Sequence, residues 1–130
     1  MTKQTLLKIS RLSAMALFWP GLALVVWGEL IRGGGPPLEL WDKLLHFIAY
    51  FGLSGMAFVA LGGRRRALWA AAGLIVLGGV LEIVQGMIGR DMSLYDEFAN
   101  TLGVAAGVVV GWAWLGLVGR RRLVGAPGPD

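Results

Sequence analysis

ALWAAAGLIVLGGVLEIVQGMI, residues 67–88, carries one formal charge, Glu82, in a run long enough to cross a bilayer. Spanning the hydrocarbon core takes roughly 20 apolar residues at about 1.5 Å of rise each. Three similar runs accompany it, Leu12 to Leu30, Leu44 to Leu61 and Phe98 to Val118, and only short links and two brief tails remain. The 130 residues are 56% hydrophobic and 15% charged, where a soluble domain would be nearer a quarter charged. The expected architecture is all-α: an integral membrane four-helix bundle with no soluble module. Residues 1–11 then form a cytoplasmic tail, 12–118 the four-helix domain, and 119–130 a basic Gly/Pro tail expected to be disordered.

The sequence pI of about 10.1 invites a nucleic-acid reading, which the placement of the charges answers. Lys3, Lys8, Arg11, Arg64, Arg65, Arg66, Arg120, Arg121 and Arg122 fall at one end of the predicted hairpins, with Asp130 the sole acid beside them. Arg32, Lys43 and Arg90 fall at the other end, with Glu29, Glu39, Asp42, Glu82, Asp91, Asp96 and Glu97. Nine basic residues against three predict an N-in, C-in topology by the positive-inside bias. The basic excess orients the chain in the membrane, and no nucleic-acid partner is expected.

The chain has no cysteine, which excludes disulfides, thiolate metal sites and cysteine nucleophiles. The first apolar run follows basic residues as a signal peptide would. It ends in WGELIRGGGPP rather than a small-residue cleavage site, so it is expected to stay as a membrane helix. Pro20 predicts a kink in it without a break. The GGGPP link, 33–37, lacks the Lys-Ser/Thr and the preceding strand of a phosphate loop. GRRR, 63–66, is a tight turn, and Trp27, Trp41, Tyr95 and Trp69 suit the membrane interfaces. Gly103, Gly107 and Gly111 form a doubled small-xxx-small pattern that admits a close helix neighbour, and that face is a candidate for oligomer contact.

Polar residues inside these runs point to a site. Asp42, His46 and Tyr50 recur every four residues in WDKLLHFIAYF, 41–51, and share one face of the second predicted helix, with Lys43 beside them. Glu82 and Gln85 lie three apart on the third helix, and Asp96 and Asn100 four apart on the fourth. Helical rise puts Glu82, His46 and Asn100 at a similar depth near one end. An ionisable side chain in the bilayer costs a few kcal/mol and marks a functional site by default. His46, Glu82 and Asp96 are the candidate acid/base groups. Asp42, Lys43, Tyr50, Gln85, Arg90, Ser93 and Asn100 are the candidate binding groups. Simpler readings stand beside these. Asp42 suits an N-cap, and Ser93 with Asp96 has the form of a capping box. His46 could be a packing histidine bonded to Glu82, and Tyr50 an ordinary buried aromatic. Glu82 resists such accounts most.

Three motifs now stand in order: Asp-Lys-x-x-His-x-x-x-Tyr (Asp42, Lys43, His46, Tyr50), Glu-x-x-Gln (Glu82, Gln85) and Arg-x-x-Ser-x-x-Asp-x-x-x-Asn-x-x-Gly (Arg90, Ser93, Asp96, Asn100, Gly103). Together, over about residues 40–111, they resemble the VanZ-like family. The resemblance implies a small multi-pass protein of the bacterial inner membrane, in a family some of whose members are associated with resistance to teicoplanin. It brings a cell-envelope context without a reaction.

The leading expectation is an outer-leaflet polar pocket that binds, and in one version modifies, an envelope lipid or lipid-linked cell-wall precursor. Lys43 and Arg90 would contact its phosphate or carboxylate, and His46 would move protons. The absence of an obvious nucleophile leaves open whether the chain is an enzyme. Two alternatives stay open: an ion- or proton-coupled transport component, and a structural or partner-binding subunit. No cofactor is expected. A divalent metal between His46, Glu82 and Asp96 is conceivable chemically, but the spacing carries no ligand signature.

Overall fold

The structure, a computed structural model, describes residues 1–31 and 39–119. Arg32, the GGGPP link, and Arg120 to Arg122 with the tail that follows lie outside the described residues. The described residues form four helices: α1 (Lys3–Leu30), α2 (Glu39–Leu61), α3 (Arg64–Met87) and α4 (Leu94–Gly119). All four are long and apolar enough to cross a membrane, which makes this a multi-pass membrane protein of all-α class.

Each helix exceeds its apolar run, and caps explain most of the difference. Thr2 accepts a hydrogen bond from the Thr5 amide at 3.2 Å, so α1 starts at Lys3 and residues 3–11, expected as tail, are helical. It runs unbroken through Pro20. Gly62, at φ 61°, ends α2, and Arg11 donates from Nη2 to the Leu61 carbonyl at 3.2 Å. The end of α3 is a Schellman turn around Gly89, at φ 83°. The Arg90 amide donates back to the Gln85 carbonyl at 2.9 Å and the Gly89 amide to the Gly86 carbonyl at 3.5 Å. Met87 and Ile88 are thereby used in closing the helix, and Arg90 leaves the turn next to α1.

The parallel pair α2 and α4 forms the most extensive helix contact, with α1 and α3 packed on it antiparallel to α2. Lipid tails are as apolar as Leu, so close backbone approach has to do much of what hydrophobic burial does in water. Glycine permits that approach. A Cβ at Gly103 would strike the backbone of Phe47 and Phe51, and one at Gly107 the Phe51 carbonyl and Ser54. Ser54 adds a hydrogen bond from Oγ to the Val104 carbonyl, at 3.0 Å. The Gly103, Gly107 and Gly111 face, expected as a candidate oligomer contact, is therefore consumed within the chain: its close neighbour is α2.

Tyr50, Leu53, Ala71, Leu74 and Val104 form the apolar core between the helices. Leu24, Trp69, Val76, Val109 and Leu117 face outward, where acyl chains would cover them. Above the core, the C-terminal ends of α1 and α3 meet the N-terminal ends of α2 and α4. The buried polar residues gather there.

Candidate functional site

Seven polar side chains are buried among the described residues: Glu29, His46, Ser54, Glu82, Gln85, Asp96 and Asn100. All but Ser54 belong to the one polar end. Spacing brings His46 from α2 and Asn100 from α4 to the interface, where Asn100 Oδ1 lies 3.0 Å from His46 Nδ1. Asn100 Nδ2 donates in turn to Glu97 Oε2, at 3.2 Å. The second bond fixes the first, because a carboxylate can only accept and so turns the amide oxygen toward the ring. Nδ1 is then the donor, and the neutral imidazole carries its lone pair on Nε2. His46 thus pairs with Asn100, not with Glu82 as the packing reading had it.

Gly78 of α3 opens the space for this chain of bonds. A Cβ there would come within 2.6 Å of Glu97 Oε2, 2.9 Å of Asn100 Nδ2 and 3.4 Å of the Tyr50 hydroxyl. Tyr50 is fully buried, with its hydroxyl beside the Glu29 carboxylate.

The helix starts resolve the capping readings. Ser93 caps α4, its Oγ accepting from the Asp96 amide at 3.3 Å. In a full capping box Asp96 would take the Ser93 amide. Here Glu82 Oε2 takes it instead, at 2.9 Å, and the Asp96 side chain turns inward. Its Oδ1 lies 4.0 Å from Lys43 Nζ, which also sits 5.9 Å above the centre of the Tyr95 ring. Asp42 does not cap α2, since the helix already begins at Glu39. It lies in the first turn, where the helix dipole favours an acid.

Two expected binding residues are spent on α1. Gln85 donates from Nε2 to the Glu29 carbonyl at 2.9 Å. Arg90 donates from Nη1 to the Glu29 carbonyl at 2.5 Å and to the Ile31 carbonyl at 3.0 Å. Together they tie down carbonyls that a helix C-terminus leaves without intrahelical partners.

Sequence reasoning missed Glu29. It is buried, with Oε1 3.6 Å from His46 Nδ1, so α1 supplies a further wall to a site expected from three helices. A signal was available. An acid in the last turn of a helix opposes the macrodipole, and α1 has no basic residue in that turn to offset it. One ring nitrogen of His46 and one carboxylate oxygen each of Asp42 and Asp96 lie within 4.8 Å of one another, a grouping able to hold a metal ion. Glu82, engaged at Ser93, is outside that group. Comparison with family models, curated proteins and solved structures returned no match to this chain, so the VanZ-like resemblance rests on its three motifs.

Proposed function

We propose that the chain is a VanZ-like protein of a bacterial inner membrane. Its polar end faces outward and takes the anionic headgroup of an envelope lipid or lipid-linked cell-wall precursor. The burial of Glu29, His46, Glu82, Gln85, Asp96 and Asn100 at one end of an otherwise apolar bundle carries this reading. Burying so many polar and ionisable groups in a bilayer is costly, and hydrogen bonds between membrane helices return only ~0.6 kcal/mol each on average. The orientation follows from Lys3, Lys8, Arg11, Arg64, Arg65 and Arg66, all toward the opposite end and hence cytoplasmic.

Lys43 is a cation placed to meet a headgroup: its side chain is 32% exposed, above buried Asp96. The N-termini of α2 and α4 add their positive dipole ends at the same place. Modification of the bound molecule would fall to His46, whose Nε2 is the basic nitrogen once Nδ1 is given to Asn100. Glycopeptide susceptibility is the cellular property to examine with it.

Mass spectrometry of lipids retained by the purified protein tests the reading. The wild type should carry an anionic envelope lipid, and Lys43→Ala should carry markedly less. No such lipid on either protein would refute it. The ties made by Gln85, Arg90 and Ser93 favour a second reading, in which the cluster only locks the helices. His46→Cys, Glu82→Cys, Asp96→Cys and Asn100→Cys separate the two in a chain with no native cysteine. Labelling by an impermeant thiol reagent supports the pocket, and protection at all four positions supports the lock.

A further inference from the structure

We propose that Asp42, His46 and Asp96 form a binding site for one divalent transition-metal cation. The inference stands whether or not the headgroup reading holds. The three ligand atoms lie within 4.8 Å of one another. Around a zinc ion, with bonds of about 2.1 Å, such atoms sit about 3.4 Å apart, a contraction within reach of side-chain rotation. The frame is well fixed. Asp42 and His46 are one turn apart on α2, and Asp96 faces them from α4 across the most extensive helix contact among the described residues.

The surroundings independently ask for a cation. Among the described residues, Asp96 Oδ1 and Glu82 Oε1 are buried without a hydrogen-bond partner. Buried carboxylate oxygens are ordinarily hydrogen-bonded, paired with a cation or bound to a metal. Lys43 Nζ, at 4.0 Å from Asp96 Oδ1, is beyond hydrogen-bond range of it. Its side chain is exposed enough to withdraw from an incoming ion. Among the described residues at this end, Glu29, Asp42, Glu82, Asp91, Asp96 and Glu97 set six carboxylates against the cations Lys43 and Arg90. A divalent ion offsets half of that acidic excess.

The bond from His46 to Asn100 prepares the imidazole for the task. Metal-binding histidines commonly give their second ring N–H to an oxygen that fixes tautomer and orientation. Asn100 Oδ1, itself held by Glu97, does this for Nδ1 and leaves the Nε2 lone pair for the ion. One imidazole with two carboxylates and no sulfur suits Zn²⁺, Mn²⁺ or Fe²⁺ better than Cu⁺, and the nitrogen ligand disfavours Mg²⁺ and Ca²⁺. With the ion bound, Nε2 is a ligand and no longer a proton carrier.

The test uses the full chain in detergent, stripped by a chelator and titrated with Zn²⁺ or Mn²⁺, with calorimetry and metal analysis as readouts. The wild type should bind one equivalent and gain thermal stability. Asp96→Asn and Asp42→Asn should each bind at least tenfold more weakly and gain none. Asp91→Asn, an exposed acid of the α3–α4 link, should behave as wild type. Asp42 is only half-buried, so its variant keeps the test valid if Asp96→Asn does not fold. The proposal is overturned if neither ion binds saturably below about 1 mM. Equal affinity in the wild type and a folded Asp42→Asn variant would overturn it as well.

Discussion

Gly107→Ala should destabilise the protein more than its single methyl suggests. A Cβ at this position meets Ser54 Oγ, the Phe51 carbonyl oxygen and the Gly55 amide nitrogen, the last at 2.9 Å. Two of the three atoms are α2 backbone, which cannot rotate away. The helices must separate, and the Ser54 hydrogen bond to Val104 lies in the gap that would widen. Overpacking of this kind costs up to about 3 kcal/mol, and the lost membrane hydrogen bond adds ~0.6 kcal/mol. Alanine returns about 1 kcal/mol through its better helix propensity. The net is a loss of up to about 2.6 kcal/mol, roughly 80-fold in the folding equilibrium.

The assay is reversible unfolding in mixed micelles followed by circular dichroism. Gly116→Ala serves as control, because a Cβ there has nothing within 4 Å. It should be neutral or stabilising by up to ~1 kcal/mol. Gly111→Ala should fall between the two, since its nearest obstacle is the Phe58 side chain at 2.8 Å. A Gly107→Ala protein within ~0.5 kcal/mol of wild type would refute the packing account. So would a variant that keeps its stability and merely loses an oligomer, the outcome expected if the stripe faced a second copy.

Two further substitutions probe the polar end. Glu82→Gln keeps an acceptor for the Ser93 amide and should leave the start of α4 intact. Glu82→Leu removes it and should cost about 1–3 kcal/mol, with faster hydrogen exchange in the first turn of α4. Identical exchange in both variants would count against the cap. Arg90→Ala releases the Ile31 carbonyl and leaves Glu29 to Gln85 alone. Loss of a charged hydrogen bond worth about 1.5 kcal/mol or more should speed exchange in the last turn of α1 about tenfold, and unchanged exchange there would refute the tie.

The spacing of the polar residues already shows which face each occupies, because helical periodicity is local. Asp42, His46 and Tyr50 at intervals of four had to share a side. Partner choice is not local. His46 bonded to Asn100 rather than Glu82 because the glycine stripe draws α4, and not α3, against α2. The same cause turned the stripe inward, as its small-xxx-small pattern allows, with α2 as the close neighbour it admits. Glu29 escaped notice because it sits alone in the last turn of the first helical run, with no polar residue at helical spacing beside it in that run, until helix packing places it beside His46.

Glu82 was the residue that capping failed to explain, and capping across helices now explains it. The Schellman turn at Gly89 brings the end of α3 and the start of α4 close enough for Glu82 Oε2 to take the Ser93 amide. That bond would otherwise be the work of Asp96, the third residue of the box. Relieved of it, Asp96 turns toward Lys43, Asp42 and His46. Glu82 therefore governs the geometry of a cluster whose ligand atoms it does not join. Its replacement by Leu would let Asp96 reach back only in part to the Ser93 amide, so a carboxylate is drawn away from His46 while α4 stays helical with a looser first turn. A metal titration of Glu82→Leu should then show weakened binding in a folded protein, and unweakened binding would mean that Asp96 holds its place without help.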